Sequence, residues 1–209
     1  MSTQKFVIDP PAQAAIAVEG TDAMFPVRRI WCVGRNYADH AREMGHDPNR
    51  EPPFFFAKPS DAVIPNHATI AYPVQTKDLH HEIELVVCIG KGGRDIPVAK
   101  ALEHVYGYAV GLDMTRRDLQ MEMRKMGRPW EIGKAFDRSA PIGPLVPAAE
   151  VAGDVHHADM QFGEQRPEAV GASFGCIAPR VRHAAGGELV KGVQGGRWTS
   201  VDSTNVAIA

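Results

Sequence analysis

Two glutamates stand one residue apart at the head of an apolar run, in HHEIELVVCIGKGG, residues 80–93. Ile83, Leu85, Val86, Val87, Cys88 and Ile89 are apolar and largely β-branched, the composition of a strand bound for the interior. Strand side chains alternate faces, so Glu82 and Glu84 share one face while Ile83 and Leu85 take the other. Like charges held side by side need compensation, and a divalent cation supplies it. A third carboxylate, Asp113, follows twenty-nine residues after Glu84, in GLDMT at the C-terminal end of a second apolar strand. Three carboxylates from two strand ends make a hard, oxygen-rich site suited to Mg²⁺ or Mn²⁺, with positions left for water and ligand. Zinc would want His or Cys at tighter spacings. The plain alternative is a solvated strand edge laced with salt bridges.

Other residues bear on the same chemistry. GRNYADHAREMG places His40 and Glu43 at i and i+3, on one helix face and within reach of each other. A carboxylate that orients an imidazole makes a general base near neutral pH, and its ordinary counterpart is a surface helix pair. Lys58 follows an aromatic strand in FFFAKPS, and Lys134 sits among apolar neighbours in WEIGKAFD. A half-buried lysine near carboxylates is either a structural ion pair or an electrophilic stabiliser, and pattern alone leaves both open. Arg117 and Gln120 fall on the first turns of the helix after Asp113, close to where a metal-bound anion would lie. The glycines of GKGG match no phosphate-loop spacing, because no GK[ST] follows, and they read as a turn.

The elements that must position these groups follow from periodicity and punctuation. RIWCVGRNY (29–37) reads as strand and turn, followed by a helix over ADHAREMG (38–45). Phe54 to Phe56 is a short aromatic strand, and ATIAYP (68–73) a further short one. A helix is expected over VAKALEHV (98–105) and a buried strand over YGYAVGLDMT (106–115). In TRRDLQMEMRKMG, Thr115 and Asp118 form an expected capping box, Leu119, Met123 and Met126 an apolar stripe, and Gly127 with Pro129 the stop. KAFDRSAPIGPLVP returns to strand and turn. Residues 151–209 hold nine glycines but only seven Leu, Ile, Met, Phe or Trp, so this quarter is a poor core builder except for VDSTNVAIA at its end.

With 209 residues, 44% of them hydrophobic, the chain can bury one sizeable core. A net charge of -2 gives no broad basic field for nucleic acid. No run of 18 apolar residues and no signal-peptide core occurs, and Cys32, Cys88 and Cys176 form no CxxC pair or even-numbered framework. A cytoplasmic protein that binds neither membrane nor nucleic acid is expected, with Cys88 a small core residue.

The order GRNYADHAREMG, FFFAKPSDAV, HHEIELVVCIGKGG, GLDMTRRDLQ, GRPWEIGKAFDRSAPIGP resembles the fumarylacetoacetate hydrolase family, and within it the acylpyruvate hydrolases. The match is dense across residues 22–148. The resemblance implies an α+β fold, a mixed β-roll or β-sandwich of that family's type with a few short helices. It implies a short N-terminal segment, 1–21, a catalytic domain over 22–209, a homodimer, and one Mg²⁺ or Mn²⁺ per subunit. The family's metal ligands fall on Glu82, Glu84 and Asp113, and its water-activating dyad on His40 and Glu43. Its substrate-contacting lysines fall on Lys58 and Lys134, its arginine and glutamine on Arg117 and Gln120. Gly34 and Arg35 fall at the pocket mouth. After about Ala158 the chain departs from the pattern. No TGTP loop is present, and 151–209 is atypical and shortened.

The activity so implied is hydrolysis of a carbon–carbon bond in a 2,4-dioxo acid such as fumarylpyruvate, giving fumarate and pyruvate in aromatic-compound catabolism. The same scaffold supports oxaloacetate decarboxylation or tautomerisation. The missing loop also admits a metal-binding member that has lost turnover.

Overall fold

The computed structural model describes residues 5–34, 54–65 and 67–151, and the backbone of 205–208. The helix expected over 38–45, with Arg35, His40 and Glu43, lies outside the described residues, as does most of 151–209.

Apolar alternation yields strands where a partner is available. These are β1 (Ala15–Ala17), β2 (Met24–Pro26), β3 (Arg29–Gly34), β4 (Phe54–Lys58) and β5 (Val63–Ile64). The chain continues through β6 (Leu79–Ile89), β7 (Val105–Arg116), β8 (Ala140–Pro141), β9 (Val146–Pro147) and β10 (Asn205–Ile208). Six of them form one mixed sheet in the order β4-β3-β10-β6-β7-β9, with β1-β2 and β5-β8 as small two-stranded sheets. Only two α-helices occur among the described residues, α1 (Arg117–Lys125) and α2 (Glu131–Lys134). Neither is long and apolar enough to cross a membrane.

The core lies on one face of this sheet. Val86 and Cys88 of β6, Ala109 of β7, and Ile30 and Cys32 of β3 are buried there with Ile16, Val18, Phe25 and Val27. Residues on both sides of position 21 therefore share one core. Each enclosed aliphatic side chain contributes roughly 1.5–3 kcal/mol of burial free energy. Cys32 and Cys88 are free thiols in this layer, as expected for Cys88.

The sheet is strongly curled. Laid flat, the four inter-strand steps from β4 to β7 would separate them by roughly 19 Å. Yet Lys58 on β4 forms an ion pair with Asp113 on β7 at 2.8 Å, which no lysine could span across a flat sheet. Curling brings the β4 edge over the end of β7.

Four local expectations are corrected. Residues 68–73 form no strand; Pro65 lies just before them, Pro73 ends them, and no partner strand among the described residues receives them. Val98–His104 is a 3-10 helix without a buried residue, because a short segment with nothing to pack against gains too little to wind further before β7 begins. The capping box at Thr115 does not form, since Thr115 continues the β6–β7 ladder opposite His80 and its Oγ1 donates to the Asp113 carbonyl. Asp118 instead accepts from Thr76 Oγ1 at 2.6 Å and the Lys77 amide at 2.9 Å, pinning that loop to the head of α1. The apolar stripe is likewise only half-buried, with Met126 exposed, and the buried residue of α1 is Gln120. The stop holds: Gly127 has φ +63°, a left-handed value glycine adopts without strain.

Candidate active site

The antiparallel register of β6 and β7 carries the site. Glu82 pairs with Asp113, Glu84 with Gly111, Val86 with Ala109 and Cys88 with Gly107. Directly opposed residues share a face, so the apolar core face runs without a break into the three carboxylates at its end. Gly111 leaves the space opposite Glu84 free of a side chain. A Cβ there would sit 2.6 Å from Val86 Cγ2.

Three cations close on these carboxylates. Lys134 Nζ lies 2.6 Å from Glu82 Oε2 and 2.6 Å from Asp113 Oδ2, bridging the cross-strand pair. Arg117 binds the other oxygen of Glu82 and donates to Gln120 Oε1 at 2.9 Å. Lys58 approaches Asp113 Oδ1 at 2.8 Å, off the axis of a hydrogen bond, and donates to the carbonyls of Met114 (3.0 Å) and Lys134. The Lys58 side chain has no exposed surface; two carbonyls accept from its ammonium and the Asp113 carboxylate balances its charge. That is the geometry of an internal ion pair, one of the two roles its sequence context left open.

Electrostatics separate the two glutamates. Burial alone would raise Glu82, but Lys134 and Arg117 outweigh it and hold its carboxyl at about 2. Glu84 forms no side-chain hydrogen bond or ion pair among the described residues. Burial first, then the charges of Glu82 and Asp113, push it up to about 8. Desolvation lowers Lys58, against the attraction of Asp113.

Close packing between the helices sets the position of Lys134. A Cβ on Gly133 would meet Gln120 N at 2.8 Å and Cα at 2.9 Å, so glycine is what lets α2 lie against α1. Ser139, fully buried, donates from Oγ to the Lys134 carbonyl at 3.2 Å, and its own carbonyl accepts from the Met114 amide. No motif in the sequence marked Ser139 or Gly133. Their partners are distant in sequence or backbone atoms that any residue carries.

The structure thus brings Lys58, Glu82, Glu84, Asp113, Arg117, Gln120 and Lys134 together. It does not assemble a ready cluster of three His, Cys, Asp or Glu ligands among the described residues. An ammonium stands between Glu82 and Asp113 instead. The donor set nonetheless fits a hard divalent cation: three carboxylates on one face, one of them, Glu84, without a direct ion-pair partner among the described residues, and an Asp113 oxygen with no aligned hydrogen bond.

A family model described as Fumarylacetoacetate (FAA) hydrolase C-terminal matches residues 29–168. The human protein named oxaloacetate tautomerase FAHD1, mitochondrial, is 44% identical over 153 residues, 68% of this chain and 68% of that one. An uncharacterized protein of Pyrococcus abyssi is 46% identical over 127 residues, 60% of this chain; the match spans 56% of the relative's length. The crystal structure of fumarylpyruvate hydrolase from Pseudomonas aeruginosa, in complex with Mn²⁺ and pyruvate, aligns with a TM-score of 0.68. Identity to it is 66%, over 71% of this chain and 65% of that one.

Proposed function

The chain belongs to the fumarylacetoacetate hydrolase family, and on that premise we propose that it hydrolyses acylpyruvates, with fumarylpyruvate as substrate and fumarate and pyruvate as products. The observation that carries this reading is the 66% identity to the Pseudomonas aeruginosa fumarylpyruvate hydrolase, across the segment that holds the buried carboxylate–lysine centre. Glu82, Glu84 and Asp113 would hold Mg²⁺ or Mn²⁺, as the Mn²⁺ and pyruvate in that relative favour. The ion supplies Lewis acidity and a template for the 2-oxo acid end of the substrate.

The chain's own residues then divide the work. Lys58, fully enclosed, fixes Asp113. Arg117, held in plane by Gln120 and Glu82, offers a bidentate fork to a substrate carboxylate. His40, oriented by Glu43, takes a proton from a water that attacks the C4 carbonyl. The C4 oxyanion collapses, the C3–C4 bond breaks, and the electron pair leaves as the enolate of pyruvate. Lys134 faces that developing charge until C3 is protonated. The water oxygen ends in the new fumarate carboxylate, so atoms and charge balance.

A second reading has its own support. The human relative is named an oxaloacetate tautomerase, and so is an Escherichia coli relative 40% identical over 153 residues. Keto–enol exchange needs the same enolate stabilisation without the water-activating pair. Assaying the purified protein with Mn²⁺ on fumarylpyruvate and on oxaloacetate separates the two. Fumarylpyruvate turnover is expected. Tautomerisation alone would install the second reading, and neither activity would leave a metal-binding protein without turnover.

A further inference from the structure

The strand that supplies Lys58 carries more than a lysine. Alternation puts Phe54, Phe56 and Lys58 of β4 on one face, and Lys58 shows where that face points, because its ammonium meets Asp113. The face is graded. Lys58 is fully enclosed at the deep end, while Phe56 and Phe54 are half-buried further out; Phe55, on the opposite face, is exposed.

Trp130, at the head of α2, completes an aromatic corner with them. Its ring stands edge-on to Phe54 with centroids 4.9 Å apart and an interplanar angle of 88°, and lies 5.8 Å from Phe56. The corner abuts the ionic centre, since Lys134 Nζ, which bridges Glu82 and Asp113, lies 5.1 Å from the Phe56 ring. Phe56 also packs in part against the hydrophobic core, which holds its ring in place beside the ionic centre. Fixed charges beside such rings suit a ligand with a charged head and a flat apolar tail.

We propose that Phe56 and Trp130 form the specificity wall of the site, taking the planar tail of a 2-oxo acid whose head is held at the carboxylate–lysine centre. The proposal rests on the acylpyruvate reading above and deepens it, because it assigns the acyl side of the substrate to named residues. It favours conjugated or aromatic tails, which stack on rings, over short saturated ones.

The test uses two probes the enzyme cannot hydrolyse, pyruvate and phenylpyruvate, which share a head and differ in the tail. Binding to the Mn²⁺-loaded protein is measured by calorimetry for the wild type, Phe56→Leu and Trp130→Leu. The wild type is expected to bind phenylpyruvate roughly five- to tenfold more tightly than pyruvate, the usual worth of an aromatic contact. Each variant should lose most of that preference while holding pyruvate within about twofold, a control that also reports an intact centre. Equal affinity of the wild type for both probes would overturn the proposal, as would variants that weaken both to the same extent. Failure of the wild type to bind pyruvate at all would remove the functional reading itself, and the wall with it.

Discussion

Glu84 gives the sharpest handle on the carboxylate centre. With its carboxyl pushed up to about 8, about nine-tenths of metal-free molecules hold a proton there at pH 7, and about one-tenth at pH 9. A cation that binds through Glu84 must expel that proton. Mn²⁺ titrations in two buffers of different ionisation enthalpy should therefore show release of about 0.9 proton per ion at pH 7 and about 0.1 at pH 9. The same proton affects folding. The unfolded chain releases it near the ordinary value of 4.5, whereas the native state keeps it up to about 8. Between those values the native state binds more protons, so the metal-free protein loses stability as pH rises, by about 1.4 kcal/mol per unit from this group. Below 4.5 both states are protonated and above 8 neither is, so the slope vanishes outside the window. Glu84→Gln should abolish the proton release and flatten that part of the stability profile in chelator. Release of no proton at pH 7 by the wild type, or an unchanged release by Glu84→Gln, would show that Glu84 is not a ligand poised in this way.

Three further outcomes are expected. Lys58→Met leaves Asp113 buried without one of its two cations, and should cost about 3–5 kcal/mol in urea unfolding; a loss below 1 kcal/mol would contradict the internal ion pair. Gly133→Ala forces a Cβ against the backbone of Gln120 and should cost about 1–3 kcal/mol, with thermal unfolding as the readout and a smaller loss if α2 can shift outward. His40→Ala should keep Mn²⁺ affinity, measured by calorimetry, and cut fumarylpyruvate turnover by roughly 10² to 10⁴; parallel loss of both would make His40 a ligand or a structural residue.

The sequence made some of this site legible and hid the rest for identifiable reasons. Period-two alternation in HHEIELVVCIG sets Glu82 and Glu84 on one face, and the structure keeps them there. That Asp113 lies directly across from Glu82 depends on the β6–β7 register, which shifts between Cys88 and Ile89 through an irregularity no spacing announced. Thr115 and Asp118 satisfied the pattern of a capping box, but a ladder already running through Arg116 claimed Thr115 for the strand. The role of Lys58 stayed open because its partner, Asp113, is reached only when the sheet curls, and that of Lys134 because its place depends on how α2 packs on α1. A curl is the sum of many small twists and leaves no single residue as its mark. Ser139 was invisible for a different reason: it acts on backbone carbonyl and amide groups, and those are the same at every position.

The placement of β10 has a consequence for how the chain reaches this state. Residues 205–208 pair parallel with β3 and antiparallel with β6, so the strand that joins the two halves of the main sheet lies about 175 residues beyond one neighbour and about 120 beyond the other. While a ribosome is still extending the chain, β3–β4 and β6–β7 can each form as local hairpins, but each exposes a row of unpaired amides and carbonyls. Such edges recruit strands from other chains. Folding should therefore show a fast phase for the two halves and a slow first-order phase for their union, with a yield that falls as protein concentration rises. Supplying residues 200–209 as a separate peptide to a chain that stops before them would shorten the time those edges spend unguarded.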